Sequence, residues 1–141
     1  MLPLMKQKNS PSNKMVLVGE DDIDDEEVLE DVLQTIDTSI NMKFLNNGQK
    51  LIEYLDEIKD NELPCLIILD YNMPGLNGAE ILKKLQVNQR IKDIPKIIWS
   101  TSNAAAYKKN CLESGATDYM VKPYKIKELE AMLRHMLSHC H

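Results

Sequence analysis

The sequence predicts an α/β domain, a five-stranded parallel sheet with five helices on its two faces. Three observations predict it. Short apolar runs alternate five times with stretches whose apolar residues recur at helical spacing. The central runs are continuously apolar, as strands covered on both faces require. Each of several runs also ends in a polar residue, at the sheet edge where such folds bind ligands. At 141 residues, with 43% hydrophobic and 28% charged content, the chain has the size of one domain with its own core.

Residues 1–13 contain Pro3 and Pro11 and no apolar periodicity. They read as a flexible tail without a signal-peptide pattern, and residues 14–141 read as the folded domain. Met15–Gly19 is the first apolar run and leads into the acidic stretch Glu20 to Glu27. Ile23, Val28, Leu29, Val32, Leu33 and Ile36 then mark the first helix. Asn41–Leu45 is a strand closed by Asn46-Asn47-Gly48, and Leu51, Ile52, Leu55 and Ile58 mark the second helix. The run Cys65–Leu69 ends at Asp70, and residues 71–78 have loop composition.

Ile81, Leu82, Leu85 and Val87 mark the third helix. Ile97–Trp99 is a fourth strand ending at Ser100, and Asn103 is placed to cap a helix running to Leu112 and stopping near Gly115. Tyr119–Val121 is the fifth strand, leading into Lys122. Ile126, Leu129, Met132, Leu133 and Leu137 mark the final helix.

Composition excludes several classes. A net charge of -5 argues against a general nucleic-acid binder, which needs a basic surface. No apolar run approaches the roughly 20 residues that span a bilayer. Cys65, Cys111 and Cys140 are odd in number and widely spaced, which gives no disulfide framework and fits a reducing, cytoplasmic setting. His135, His139 and His141 beside Cys140 look superficially like metal ligands, but they fall where a chain end frays.

The residues just past the apolar runs carry the chemistry. Glu20, Asp21 and Asp22 follow the first run, Asp70 the third, Ser100 the fourth and Lys122 the fifth. In an open α/β sheet these positions converge on one pocket. Neighbouring carboxylates repel one another, and a hard cation such as Mg²⁺, which takes carboxylates, waters and a phosphate oxygen, relieves that repulsion. A lysine supplies a point charge for a phosphoryl oxygen, and a serine supplies a hydroxyl. Phosphoryl transfer needs this positioning and neutralisation, with Asp70 as the nucleophile that becomes an aspartyl phosphate. The acidic run Asp24–Glu27 reads as a solvated helix face favoured by the helix dipole, and Asp22 as a cap or a neighbour of the metal site.

Four segments carry a family resemblance: VLVGEDD at 16–22, LDYNMPGLNG at 69–78, PKIIWSTS at 95–102 and GATDYMVKPY at 115–124. In that order and spacing the chain resembles the receiver domain of two-component response regulators, in its stand-alone, CheY-like form, over about residues 14–138. The resemblance implies a flavodoxin-like doubly wound sheet in the order 2-1-3-4-5. It implies that Asp70 is the phosphoacceptor, that Asp21 binds Mg²⁺ directly and Glu20 through water, and that the backbone carbonyl of Asn72 completes the metal site. It implies that Lys122 holds the phosphoryl group, with a cis bond to Pro123, that Ser100 is the switch hydroxyl, and that Tyr119 is an aromatic switch turning inward on activation.

The implied partners are a sensor histidine kinase or phosphotransfer protein upstream and an effector protein on the face of the fourth helix, fifth strand and fifth helix, where two copies could also pair. The alternative role is a phosphorelay intermediate that passes the group on to a histidine phosphotransfer protein. Gly19, Trp99 and Thr101 depart from the usual pattern, the last two beside Ser100. Two rivals are weaker: an aspartate phosphatase of the haloacid dehalogenase type, which would want an acid where Asn72 stands, and a degenerate receiver, against which the intact Glu20, Asp21, Asp70, Ser100 and Lys122 set speaks.

Overall fold

The computed structural model describes residues 14–140; the tail expected at 1–13 lies outside the described residues. Five strands and five helices alternate: β1 Lys14–Gly19, α1 Ile23–Ile36, β2 Ile40–Leu45, α2 Gly48–Glu57, β3 Leu66–Asp70, α3 Gly78–Gln86, β4 Lys96–Ser100, α4 Ala105–Glu113, β5 Asp118–Val121 and α5 Ile126–Leu137. All strand pairs are parallel, in the order β2-β1-β3-β4-β5. The order reverses between β1 and β3, so the crevice beyond their carboxyl ends is the switch point.

Side-chain alternation along each strand divides the core. Val16 and Val18 join Ile68, Trp99 and the buried stripes of α1 and α5, while Leu17 joins Leu69, Ile98 and the stripes of α2 and α3. Every residue of β3 and β4 is buried, which is why their sequences are continuously apolar up to the edge.

Caps fix where the helices begin. The Asp22 side chain accepts from the amides of Asp24 and Asp25 at 2.9 and 3.3 Å, so Asp22 is the N-cap of α1. Asn77 and Glu80 form a capping box at α3. The helix expected to be capped by Asn103 starts one residue later, with Ala104 at the cap and no side-chain cap bond, and the Ser102 hydroxyl accepts from the Ala104 amide at 3.2 Å. Gly115 ends α4 with φ +112. Val87 leaves the core stripe: it sits at the end of α3 and is 80% exposed, since the next positions in register with Leu85 are 88 and 89.

Two further expectations are corrected. Cys65 and Cys140 are disulfide-bonded, with Cα atoms 4.8 Å apart, and Cys111 is free and buried. The pairing joins the start of β3 to the end of α5 across 75 residues, a contact that spacing cannot reveal. The Lys122–Pro123 bond is trans, as the described residues contain no cis peptide; trans remains the lower-energy form even before proline. Among the described residues, no helix is long and apolar enough to cross a membrane.

Candidate functional site at the carboxyl edge of the sheet

The first carboxylate comes from the end of β1. Gly19 closes the strand, and a side chain there would meet Met73 Cε at 2.8 Å, so the absence of a Cβ lets the loop after β3 pack close. Glu20 continues the ladder through its amide to Leu45 O at 3.0 Å. Its side chain is fully buried and accepts from the Asp22 amide at 3.1 Å. Asp21, the next residue, is exposed.

Asp70 ends β3, 6% exposed, and its Oδ1 accepts from the Asn72 amide at 3.0 Å. Carboxylate oxygens of Glu20, Asp21 and Asp70 lie within 4.8 Å of one another, the one such cluster among the described residues. Three hard oxygen donors at this separation suit a divalent cation of the Mg²⁺ or Mn²⁺ type. His135 and His139 form no such cluster; their rings meet edge to face at 5.6 Å, and His135 lies 3.7 Å from Asp118.

Lys122 follows β5, and its amide bonds to Ser100 O at 2.8 Å. Its ammonium reaches back over the sheet edge to Asp70 Oδ2 at 3.0 Å, Glu20 Oε2 at 3.0 Å and Asp25 Oδ2 at 2.7 Å. Burial works against the charge on Lys122, yet its bonds to Asp25, Glu20 and Asp70 raise its pKa above the ordinary lysine value. Burial, with the neighbouring Asp70 carboxylate, pushes Glu20 up to about 8, against the pull of Lys122.

Ser100 ends β4, fully buried, and its Oγ accepts from the Ser102 amide at 3.1 Å. Tyr119 in β5 is 6% exposed, with its ring inward and its hydroxyl donating to Ser102 O at 2.7 Å. Glu20, Asp21, Asp70 and Lys122 thus form one side-chain cluster, with the buried Ser100 backbone-bonded to Lys122 and Tyr119 bonded to the loop that follows Ser100. Asn72, exposed, contributes its amide to Asp70.

One residue differs from the sequence reading. Asp25 is no merely solvated acid: it makes the shortest bond to Lys122. Trp99, next to Ser100 in the strand, is buried in the core. It points to the opposite face of the sheet, with the α1 and α5 core, and Lys122 Nζ lies 4.7 Å from its ring centroid. The signal for Asp25 was its place one turn into the helix that starts at the pocket, but equal acids at 24, 26 and 27 hid it. A stack absent from the sequence reading joins Tyr71, beside Asp70, to Tyr107 of α4, with ring centroids 4.6 Å apart.

Strand order and pocket together define a flavodoxin-like α/β domain with its site at the switch point. Residues 16–134 match the response regulator receiver domain, and the chain belongs to that family. It is 33% identical over 131 residues to the two-component response regulator ARR17 of Arabidopsis thaliana, covering 87% of this chain and 84% of that one. With ARR8 of the same plant the identity is 31% over 138 residues, and the match covers 60% of that longer relative. Among solved structures, the Mn(2+)-bound form of response regulator Rcp1 superposes with a TM-score of 0.77 at 27% identity, over 89% of this chain and 92% of that one. Response regulator RPA3017, in red light signaling of R. palustris, gives 0.79 at 26% identity over 88% and 91%.

Proposed function

We propose that this chain is a phosphoryl-accepting signalling receiver in which Asp70 takes the group from a phosphohistidine of a sensor kinase or phosphotransfer protein. The observation that carries the reading is the Lys122 ammonium bonded to Asp70 Oδ2 at 3.0 Å beside the Glu20–Asp21–Asp70 oxygens. An Asp70 oxygen attacks phosphorus in line, the phosphorus–nitrogen bond breaks, and the imidazole leaves with its electron pair and is protonated. Lys122 neutralises oxygens of the transferring group. Asp21 and Asp70 directly, Glu20 through water and the Asn72 carbonyl would hold Mg²⁺, which neutralises further phosphoryl charge.

The output follows from the bonds around Ser100. A phosphoryl oxygen accepts from the Ser100 hydroxyl, whose Oγ in turn accepts from the Ser102 amide, and Ser102 O is held by Tyr119. Displacing Ser100 therefore moves residues 101–104, which lead into α4. That helix has no side-chain cap and buries only Cys111, so it is the element most easily repositioned. The face of α4, β5 and α5 then binds an effector protein differently, by a shift between two states.

Incubation with acetyl phosphate and Mg²⁺ is expected to add one phosphoryl mass to the intact protein, and Asp70→Asn to abolish the addition. Labelling that persists in Asp70→Asn overturns the assignment.

A further inference from the structure

Lys122 has three protons, and each is already committed to a carboxylate: Glu20 and Asp70 at 3.0 Å and Asp25 at 2.7 Å. A phosphoryl group on Asp70 brings new oxygens that need one of those donors. Glu20 is fully buried on a strand end, and Asp70 carries the group itself. Asp25, on the first turn of α1 and with its side chain 33% exposed, is the partner that water can replace.

The same ammonium lies 4.7 Å from the centroid of the Trp99 ring, within cation–π range. Trp99 is buried with no hydrogen-bond partner for its Nε1. Buried tryptophans usually find one, so the ring face toward the lysine is the polar contact this side chain makes. Asp25, Trp99 and Lys122 line one small pocket, together with Val28 and Leu129, beside the phosphoacceptor.

We propose that Asp25 is a positioning residue: with the face of Trp99 it forms a resting cradle for Lys122, and phosphoryl transfer to Asp70 draws the lysine out of it. This rests on the phosphoacceptor reading above. Asp25 then slows labelling, because the lysine must exchange a charged partner for a phosphoryl oxygen, and because its own negative charge faces the incoming group.

The test combines labelling by acetyl phosphate and Mg²⁺ with emission from Trp99, the single tryptophan. In the unsubstituted chain, labelling is expected to change the emission as Nζ leaves the ring. Asp25→Asn is expected to label roughly fivefold faster, the scale of one partly exposed ion pair. Its resting emission should already sit nearer the labelled value, with a smaller change on labelling, and Asp25→Glu should restore both. Asp24→Asn removes the same charge from an exposed neighbour and should alter neither. Wild-type rate and emission in Asp25→Asn overturn the cradle, and so does equal acceleration by Asp24→Asn. Failure of the unsubstituted chain to label, or labelling of Asp70→Asn, instead overturns the phosphoacceptor reading and takes the cradle with it.

Discussion

The two edges of the sheet each bury a lysine with three hydrogen bonds, and they use it in opposite ways. At the carboxyl edge, Lys122 meets three carboxylates, which together raise its pKa against burial. At the amino edge, Lys96 donates to three backbone carbonyls, Ile91 O at 2.9 Å, Lys92 O at 3.0 Å and Ile94 O at 2.7 Å. Burial pushes Lys96 down to about 8.

Arg90 adds to the amino edge, bonding to the Leu55 and Ile58 carbonyls and to Asp60 at 2.6 Å, and the Cys65–Cys140 bond closes it. Carbonyls have no protons to exchange and no net charge to neutralise, so the amino edge ties loops down. Carboxylates compete with each other and with incoming anions for one cation, so on the proposed reading the carboxyl edge is the one that responds to an anionic ligand.

The comparison breaks most sharply at the two lysines. Lys122→Ala is expected to slow acetyl-phosphate labelling on the order of 100-fold or more, as loss of one preorganised donor does; a smaller change would show that Lys122 is not aimed at the phosphoryl group. Reducing the Cys65–Cys140 bond should cost about 2–4 kcal/mol in urea unfolding while leaving labelling in place. Cys111, with its thiol pushed up to about 11 by burial, should not enter into exchange. Lys96→Met leaves three carbonyls without their donor and should cost about 1–3 kcal/mol, again with labelling retained.

The two edges should also differ in the sign of their pH dependence. Glu20 is raised from 4.5 to about 8, so the native state holds this proton more tightly than the unfolded chain. The metal-free protein should therefore lose stability as pH rises across that window. A bound divalent cation competes with the same proton, so its affinity should rise with pH over the same range. Lys96 is lowered from 10.5 to about 8, so the unfolded chain holds that proton more tightly. Stability should gain from Lys96 as pH rises from about 8 toward 10.5. Denaturant titrations of the parent chain and Lys96→Met across both windows separate the two contributions; an unchanged alkaline limb in Lys96→Met would show that Lys96 is not its source.

Asp70, Ser100 and Lys122 were legible because a strand buried on both faces is a run of apolar residues with a visible end, and the first polar residue marks the sheet edge. Glu20 was legible for the same reason at β1. Asp25 was not, since periodicity along α1 does not say how far its first turn leans toward β5, and three neighbouring acids carry the same charge. Trp99 was legible as core from its apolar run, but the sequence places it next to Ser100 and does not say which core it joins; the pleat sends adjacent side chains to opposite faces. The inward ring of Tyr119 and its bond to Ser102 depend on the path of the loop into α4.

From the sequence alone came the element order, the parallel sheet and the set of polar strand ends, because these follow from apolar patterning along the chain. Tertiary structure alone decided which acids share Lys122, that its ammonium lies over Trp99, that Tyr71 stacks on Tyr107, and that Cys65 meets Cys140. Each of these is a contact between residues far apart in sequence, such as the 97 positions separating Asp25 from Lys122. Local pattern carries no information about such distances; packing helices onto both faces of one twisted sheet sets them.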